Sequence, residues 1–263
     1  MGDLGGKVAM VTGASRGLGR HLAERLAREG CRLIVCSRDE AEIGRAASEI
    51  EAATGAEVLA RCADVTNEDD VANMVTAGVA RFGRLDLLVC NAGLVGAARA
   101  IHDFDLADWR RIIDVNLIGY FLCAREASRA MMRSGGGAIV QINSRSGKRG
   151  TARNSAYAAS KGAGIVLTQS LSAELAEHHI RVNCICVGSI FESDLWQGFL
   201  FQDYARRYHM TEEQVREKYL EAIPLRRPCT YADVADLTVF LLSERSGYMT
   251  GQAVNLTGGE VVW

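Results

Sequence analysis

Proline is scarce in this chain, two residues in 263, and no Pro/Ser-rich stretch offers a linker. One domain over 1–263 is expected, a normal size for a single α/β unit. The eight cysteines, at 31, 36, 62, 90, 123, 184, 186 and 229, include no C-x-x-C pair. That excludes zinc-finger and thioredoxin spacing, and no metal site is expected. Most sit in apolar runs such as Leu33-Ile34-Val35-Cys36 and read as buried, reduced thiols. Excess charge is missing too. The formal net charge is −2, so no basic field favours nucleic acid or an anionic membrane. No apolar run reaches about 18 residues, and the N-terminus has no long apolar leader core. A cytoplasmic protein is expected. Repeats and low-complexity tracts are absent as well.

Glycine, by contrast, is abundant at 27 residues, and apolar runs alternate regularly with helix-like periodic stretches. Strands are predicted over 8–11, 33–36, 58–61, 85–90, 138–142, 181–187 and 253–256. Helices are predicted over 17–29, about 39–53, from 68, over 105–132 and over 155–177. This alternation implies an α/β fold, a doubly wound parallel sheet with helices on both faces. The stretch at about 191–222 breaks the rhythm. It is helical, charged and aromatic, with Trp196, Phe199, Phe201, Tyr204, Tyr208 and Tyr219. An insert of this kind suits a cover over the substrate end of the sheet; an ordinary solvated helix pair is the other reading.

Thr12-Gly13-Ala14-Ser15-Arg16-Gly17-Leu18-Gly19 follows the first strand and opens the first helix. Glycines there tighten the turn and bring the helix N-terminus close to a pyrophosphate, whose charge the free N–H groups and helix dipole accept. A dinucleotide turn of NAD type ends its second strand on an acidic residue; Ser37-Arg38 stands there instead. Arg38 can pair with a 2′-phosphate, and Arg16 is placed to help. NADP(H) is therefore the preferred cofactor, with Asp39 and Glu40 keeping NAD(H) open. Asp64-Val65 ends the third strand, where Asp64 suits the adenine amino group or a helix cap. Asn91-Ala92-Gly93 ends the fourth, where small residues let the cofactor approach.

Tyr157 and Lys161 are spaced i, i+4 on a predicted helix and share a face. A phenol alone exchanges protons poorly at neutral pH, and a nearby ammonium lowers its pKa. Lys161 also reaches the nicotinamide ribose. Ser144, just past a predicted strand, can hydrogen-bond a substrate oxygen. Reduction of a ketone, or oxidation of a secondary alcohol, is the chemistry this set suits.

These motifs, with Asn116, resemble the short-chain dehydrogenase/reductase family over nearly the whole chain, and imply its Rossmann fold. The resemblance implies Tyr157 as acid/base, Ser144 as carbonyl orienter, Lys161 as phenolate stabiliser and ribose ligand, and Asn116 as holder of a water relay through a local helix distortion. It also implies a homotetramer built on two copies of the helix at 155–177. From Val115-Asn116-Leu117 through Arg125-Glu126, at Gln141 to Lys148, at Leu167 to Leu171, and at Thr250-Gly251-Gln252 to Gly259, the chain is similar to bacterial sorbitol-6-phosphate 2-dehydrogenases. Those enzymes generally carry an acidic residue where Ser37 stands and use NAD. A further departure is Val187-Gly188 in place of the family's Pro-Gly, at the nicotinamide amide contact assigned to Gly188.

The expected reaction interconverts fructose 6-phosphate and sorbitol 6-phosphate, or a related ketose/polyol phosphate pair. Arg145 and Lys148, on a loop that also holds Arg149 and Arg153, are candidate phosphate ligands, and Asn154 a candidate for a sugar hydroxyl. A solvated basic loop or a subunit contact remains the alternative. Two rival functions stay open: reduction of a 3-oxoacyl thioester or another ketone, and a non-catalytic NADP-binding sensor.

Overall fold

Every residue of Val8–Thr12 is buried, the signature of a strand covered on both faces. That strand, β1, is central in a computed structural model that describes residues 4–263. The elements run β1, α1 (Gly17–Arg28), β2 (Arg32–Ser37), α2 (Glu40–Thr54), β3 (Val58–Cys62), α3 (Glu68–Phe82), β4 (Leu87–Cys90), α4 (Leu106–Ile113), α5 (Gly119–Ser134), β5 (Gly137–Ser144), α6 (Ser155–Leu175), β6 (Ile180–Val187), α7 (Phe201–Tyr208), α8 (Glu212–Glu221), α9 (Tyr231–Leu242) and β7 (Ala253–Leu256). The seven strands are all parallel and ordered β3-β2-β1-β4-β5-β6-β7. This is the doubly wound sheet expected. The order reverses between β1 and β4, which opens a crevice at their C-terminal ends.

Alternate strand residues feed two cores. Ala9, Val11, Leu33, Val35 and Val89 pack with Leu22 and Leu26 of α1, Ile43 of α2 and Val234 of α9. Val8, Met10, Ile34, Cys36 and Leu88 pack on the other side with Val71 and Met74 of α3 and Tyr120 and Cys123 of α5. Each large side chain so buried contributes about 1.5–3 kcal/mol.

Three departures from the expected boundaries bear on the site. Strand β5 extends through Ser144, so that serine is the strand's last residue rather than a loop residue. The region 105–132 is not one helix: α4 and α5 are joined by a π-helical turn, Asp114–Ile118. The insert contains a π turn at Trp196–Leu200, then α7 and α8. His209, in left-handed conformation, ends α7, and Thr211 starts α8 with a capping box to Gln214.

All eight cysteines are free thiols, and six are buried. Burial pushes Cys31 and Cys36 up to about 12, so they are unreactive at neutral pH.

Candidate active site

The turn after β1 is built by contacts to β4. Asn91 Nδ2 donates to the Thr12 and Gly13 carbonyls at 3.0 and 3.1 Å. The Asn91 and Ala92 amides both donate to Thr12 Oγ1 at 3.1 Å. Asn91 thus clasps two strand ends as well as lining the crevice. Gly13 takes a positive φ of 65°, and a Cβ on Gly19 would lie 2.1 Å from the Gly13 carbonyl oxygen. Both positions need glycine.

Helix α1 then starts at Arg16 with no side-chain cap and no acidic residue in its first turn. Its first N–H groups are left for an anion. They face a cavity of about 400 Å³ lined by Gly13, Ser15, Arg16, Leu18, Gly19, Ser37, Arg38, Asp64, Val65, Asn91, Ala92 and Gly93. Twelve of the predicted cofactor residues therefore share one crevice. Among the described residues Arg16 and Arg38 form no ion pair, and both are exposed. Asp39, whose carboxylate accepts from the Glu42 amide at 2.8 Å, is the cap of α2. Glu42 also lines the crevice and accepts from Ser15 Oγ at 3.3 Å. The Asp64 carboxylate holds Thr66, while α3 is capped by Asn67. Arg111 of α4 joins the lining; it went unremarked in the sequence because nothing local ties it to the glycine turn.

A second cavity of about 330 Å³ adjoins the first, sharing Arg16, Leu18, Asn91, Gly93 and Leu94. Ser144, Tyr157, Lys161 and Gly188 line it, with Asp194, Leu195 and Trp196 from the insert and Tyr231 from the start of α9. Ser144, Tyr157 and Lys161 of the predicted catalytic set thus line one cleft continuous with the nucleotide crevice, while Asn116 lies outside its lining. The Ser144 hydroxyl accepts from the Ser146 amide at 3.1 Å and shares the cleft with the Tyr157 phenol. Lys161 Nζ donates to the Ile142 carbonyl at 2.9 Å. Burial pushes the Lys161 ammonium down to about 8. Burial also raises Tyr157, partly offset by Ser144 and by the Arg145 guanidinium. Lys161 Nζ lies 5.7 Å from the Tyr157 ring centre, and burial is the largest influence on both groups.

Asn116 lies in the π turn and is buried. Its Nδ2 donates to the Leu94 carbonyl and to Ser160 Oγ, both at 2.9 Å, and its Oδ1 accepts from the Leu94 amide at 2.7 Å. The helix distortion aims this side chain at the loop after β4. Ser160 and Leu94 were missed in the sequence, since partners this distant leave no local pattern.

The expected phosphate ligands are not brought together. Lys148 Nζ donates to the Ala253 carbonyl at 3.1 Å and is not among the cleft residues. Arg145 is ion-paired with Glu260 and donates to Ser189 Oγ at 3.3 Å. Asn154 is half-buried at the start of α6. Arg149 and Arg153 are exposed. Each of the two tied cations had an unforeseen partner near β7.

The family model described as short chain dehydrogenase matches residues 7–200. The chain is 42% identical to sorbitol-6-phosphate 2-dehydrogenase of Escherichia coli (strain K12), covering 98% of this chain and 99% of that one. It is 35% identical to a 3-oxoacyl-[acyl-carrier-protein] reductase of Staphylococcus aureus (strain Mu50), covering 96% and 97%. The solved sorbitol-6-phosphate 2-dehydrogenase of Erwinia amylovora is 40% identical, with TM-score 0.93 over 97% of this chain and 100% of that one. Two further structures at 31% identity and TM-score 0.92 carry different cofactors. One is an NAD+-bound xylitol dehydrogenase, covering 97% and 99%; the other is an actinorhodin polyketide ketoreductase with NADPH, covering 98% of each.

Proposed function

The chain belongs to the short chain dehydrogenase family, and from that premise we propose that it is an NADP(H)-dependent enzyme interconverting a ketose phosphate and a polyol phosphate. The carrying observation is that Ser144, Tyr157 and Lys161 line one cleft with Arg16, Gly17, Leu18 and Gly188. The family uses NAD(P)(H), and the lining here suits it: an uncapped helix start, glycines where side chains would collide, and unpaired arginines. Arg16 and Arg38 suit a 2′-phosphate, and the Asp39 carboxylate is engaged as a helix cap. When bound, the nicotinamide supplies or accepts the hydride.

In reduction, Tyr157 gives its phenolic proton to the carbonyl oxygen while Ser144 holds that oxygen by hydrogen bond. Raised by burial, the phenol stays protonated at neutral pH, as an acid must. Lys161, brought down to about 8, holds a proton it can return to the phenol, and Asn116 fixes the loop at Leu94 beside it. For the substrate phosphate the loop after Ser144 offers Arg149 and Arg153, exposed and without ion pairs among the described residues; like Lys148 they stand outside the cleft lining and would have to reach in to meet it. Among the described residues no helix is long and apolar enough to cross a membrane. Tetramer assembly through α6 is supported by Val166, 60% exposed on that helix, a position that apolar contact with another copy would cover.

A second reading has support in Ile190, Leu195 and Trp196, which give the cleft an apolar wall suited to an acyl chain. NADPH consumption with fructose 6-phosphate, fructose and acetoacetyl thioester separates the two. The sugar phosphate is expected to turn over fastest; turnover of the thioester alone overturns the ketose phosphate reading.

A further inference from the structure

Arg145 begins the turn after Ser144, yet its side chain does not enter the cleft. It runs across the ends of three neighbouring strands. Its backbone follows β5. One guanidinium nitrogen reaches Ser189 Oγ, just beyond β6, at 3.3 Å. The other pairs with Glu260, four residues beyond β7. Glu260 is itself only 12% exposed. Its segment is fixed by Thr257, whose hydroxyl donates to the Val261 carbonyl at 3.0 Å and accepts from the Val261 amide at 3.2 Å. The Gly258 carbonyl takes the Leu225 amide at 3.1 Å, joining this tail to the chain just past α8.

We propose that Glu260 is a positioning residue of the active site, holding Arg145 so that Ser144 and Tyr157 keep their mutual placement and the phenol feels a partly neutralised cation. This rests on the reading of Tyr157 as the acid/base. A half-buried guanidinium is poorly solvated when unpaired, so a carboxylate that holds it also dictates where it sits. Tyr157 faces Ser144 at the end of β5 and Arg145 in the turn after it, Lys161 from its own helix, and Arg16, Asp194 and Tyr231 across the cleft. Arg145 also faces Arg149, Tyr204 and Tyr219. Among these, Glu260 is the carboxylate in contact with the guanidinium.

The test is a tyrosinate ultraviolet titration of the full chain, read as the difference from a Tyr157→Phe version of each protein, so that no substrate is needed. Glu260→Gln leaves the cation unopposed, and Tyr157 titrates lower by about half a unit or more. Arg145→Met leaves the carboxylate alone, and Tyr157 titrates higher. Arg145→Lys keeps the charge and returns the titration toward the parent value; it also serves if Arg145→Met fails to fold. With NADPH and fructose 6-phosphate, Glu260→Gln is expected to lower kcat about tenfold with little change in KM. Titrations that coincide in all variants, or that move the same way for Glu260→Gln and Arg145→Met, overturn the proposal. Absence of fructose 6-phosphate turnover in the parent enzyme counts against the substrate reading and leaves the titration decisive for Glu260.

Discussion

The ammonium of Lys161 lies 5.7 Å from the centre of the Tyr157 ring. Lys161 is buried and Tyr157 half-buried, and desolvation penalises the charged form of each. A buried cation of this kind is retained against stability, which makes its contribution measurable.

Lys161→Met should abolish turnover and raise the melting temperature at pH 7. Folding moves the lysine from its ordinary 10.5 down to about 8. Below that folded value the residue is charged in both states, and the burial penalty, roughly 3 kcal/mol at most, is fully present. Between about 8 and 10.5 the unfolded chain binds the extra proton, so stability rises with pH. The variant's melting advantage should therefore shrink across that window. Melting curves of both proteins at pH 7 and pH 10 check it; a constant gap would refute the buried-ammonium account.

Tyr157→Phe keeps the ring and removes the transferable proton. Turnover is expected to fall by about 10²–10⁴, with NADPH affinity unchanged by fluorescence titration. Near-parental activity would remove this residue from the chemistry.

Arg38→Asp places a carboxylate at the crevice mouth beside Asp39 and Glu42. Loss of a charge-assisted contact, worth about 1.5–3 kcal/mol, should reduce the NADPH-to-NADH preference by roughly tenfold to a hundredfold. Initial rates with both cofactors decide this, and an unchanged ratio excludes Arg38 from 2′-phosphate recognition.

Lys148→Ala and Arg149→Ala should behave differently. Lys148 holds the Ala253 carbonyl, so its loss should cost about 1 kcal/mol of stability and affect fructose 6-phosphate and fructose alike. Arg149→Ala should raise KM for the phosphorylated sugar alone. A selective Lys148 effect would mean that its side chain leaves Ala253 when substrate binds.

Asn116→Ala removes bonds to Leu94 and Ser160. The freed Leu94 groups should loosen the loop after β4 and speed amide exchange there, while exchange in β1 and β5 stays slow. Equal protection at Leu94 in both proteins would show that the loop is held by other contacts.

Local pattern carried the sheet. Runs such as Leu33 to Cys36 are buried on both faces, and a strand so placed must be apolar throughout. The glycine turn and the Tyr157–Lys161 spacing were legible for the same reason, since neighbours in sequence are neighbours in space. The basic loop was not. Lys148 meets a carbonyl 105 residues away and Arg145 meets Glu260; no periodicity encodes such meetings. The widened turn joining α4 and α5 was not legible from apolar spacing; the family resemblance at Asn116 is what implied it.

That widened turn, Asp114–Ile118, takes up one residue more than regular winding needs, so the helix beyond it keeps its face on the sheet. Deleting one residue there should let regular 3.6-residue winding close over the gap, with Tyr120, Cys123, Ala124 and Ala127 still packed on the sheet. What would go is the bulge that turns Asn116 toward Leu94. A single-codon deletion at this point should therefore fold and melt close to the parent yet lose turnover, whereas the same deletion in the middle of α5 would swing its whole apolar face off the sheet.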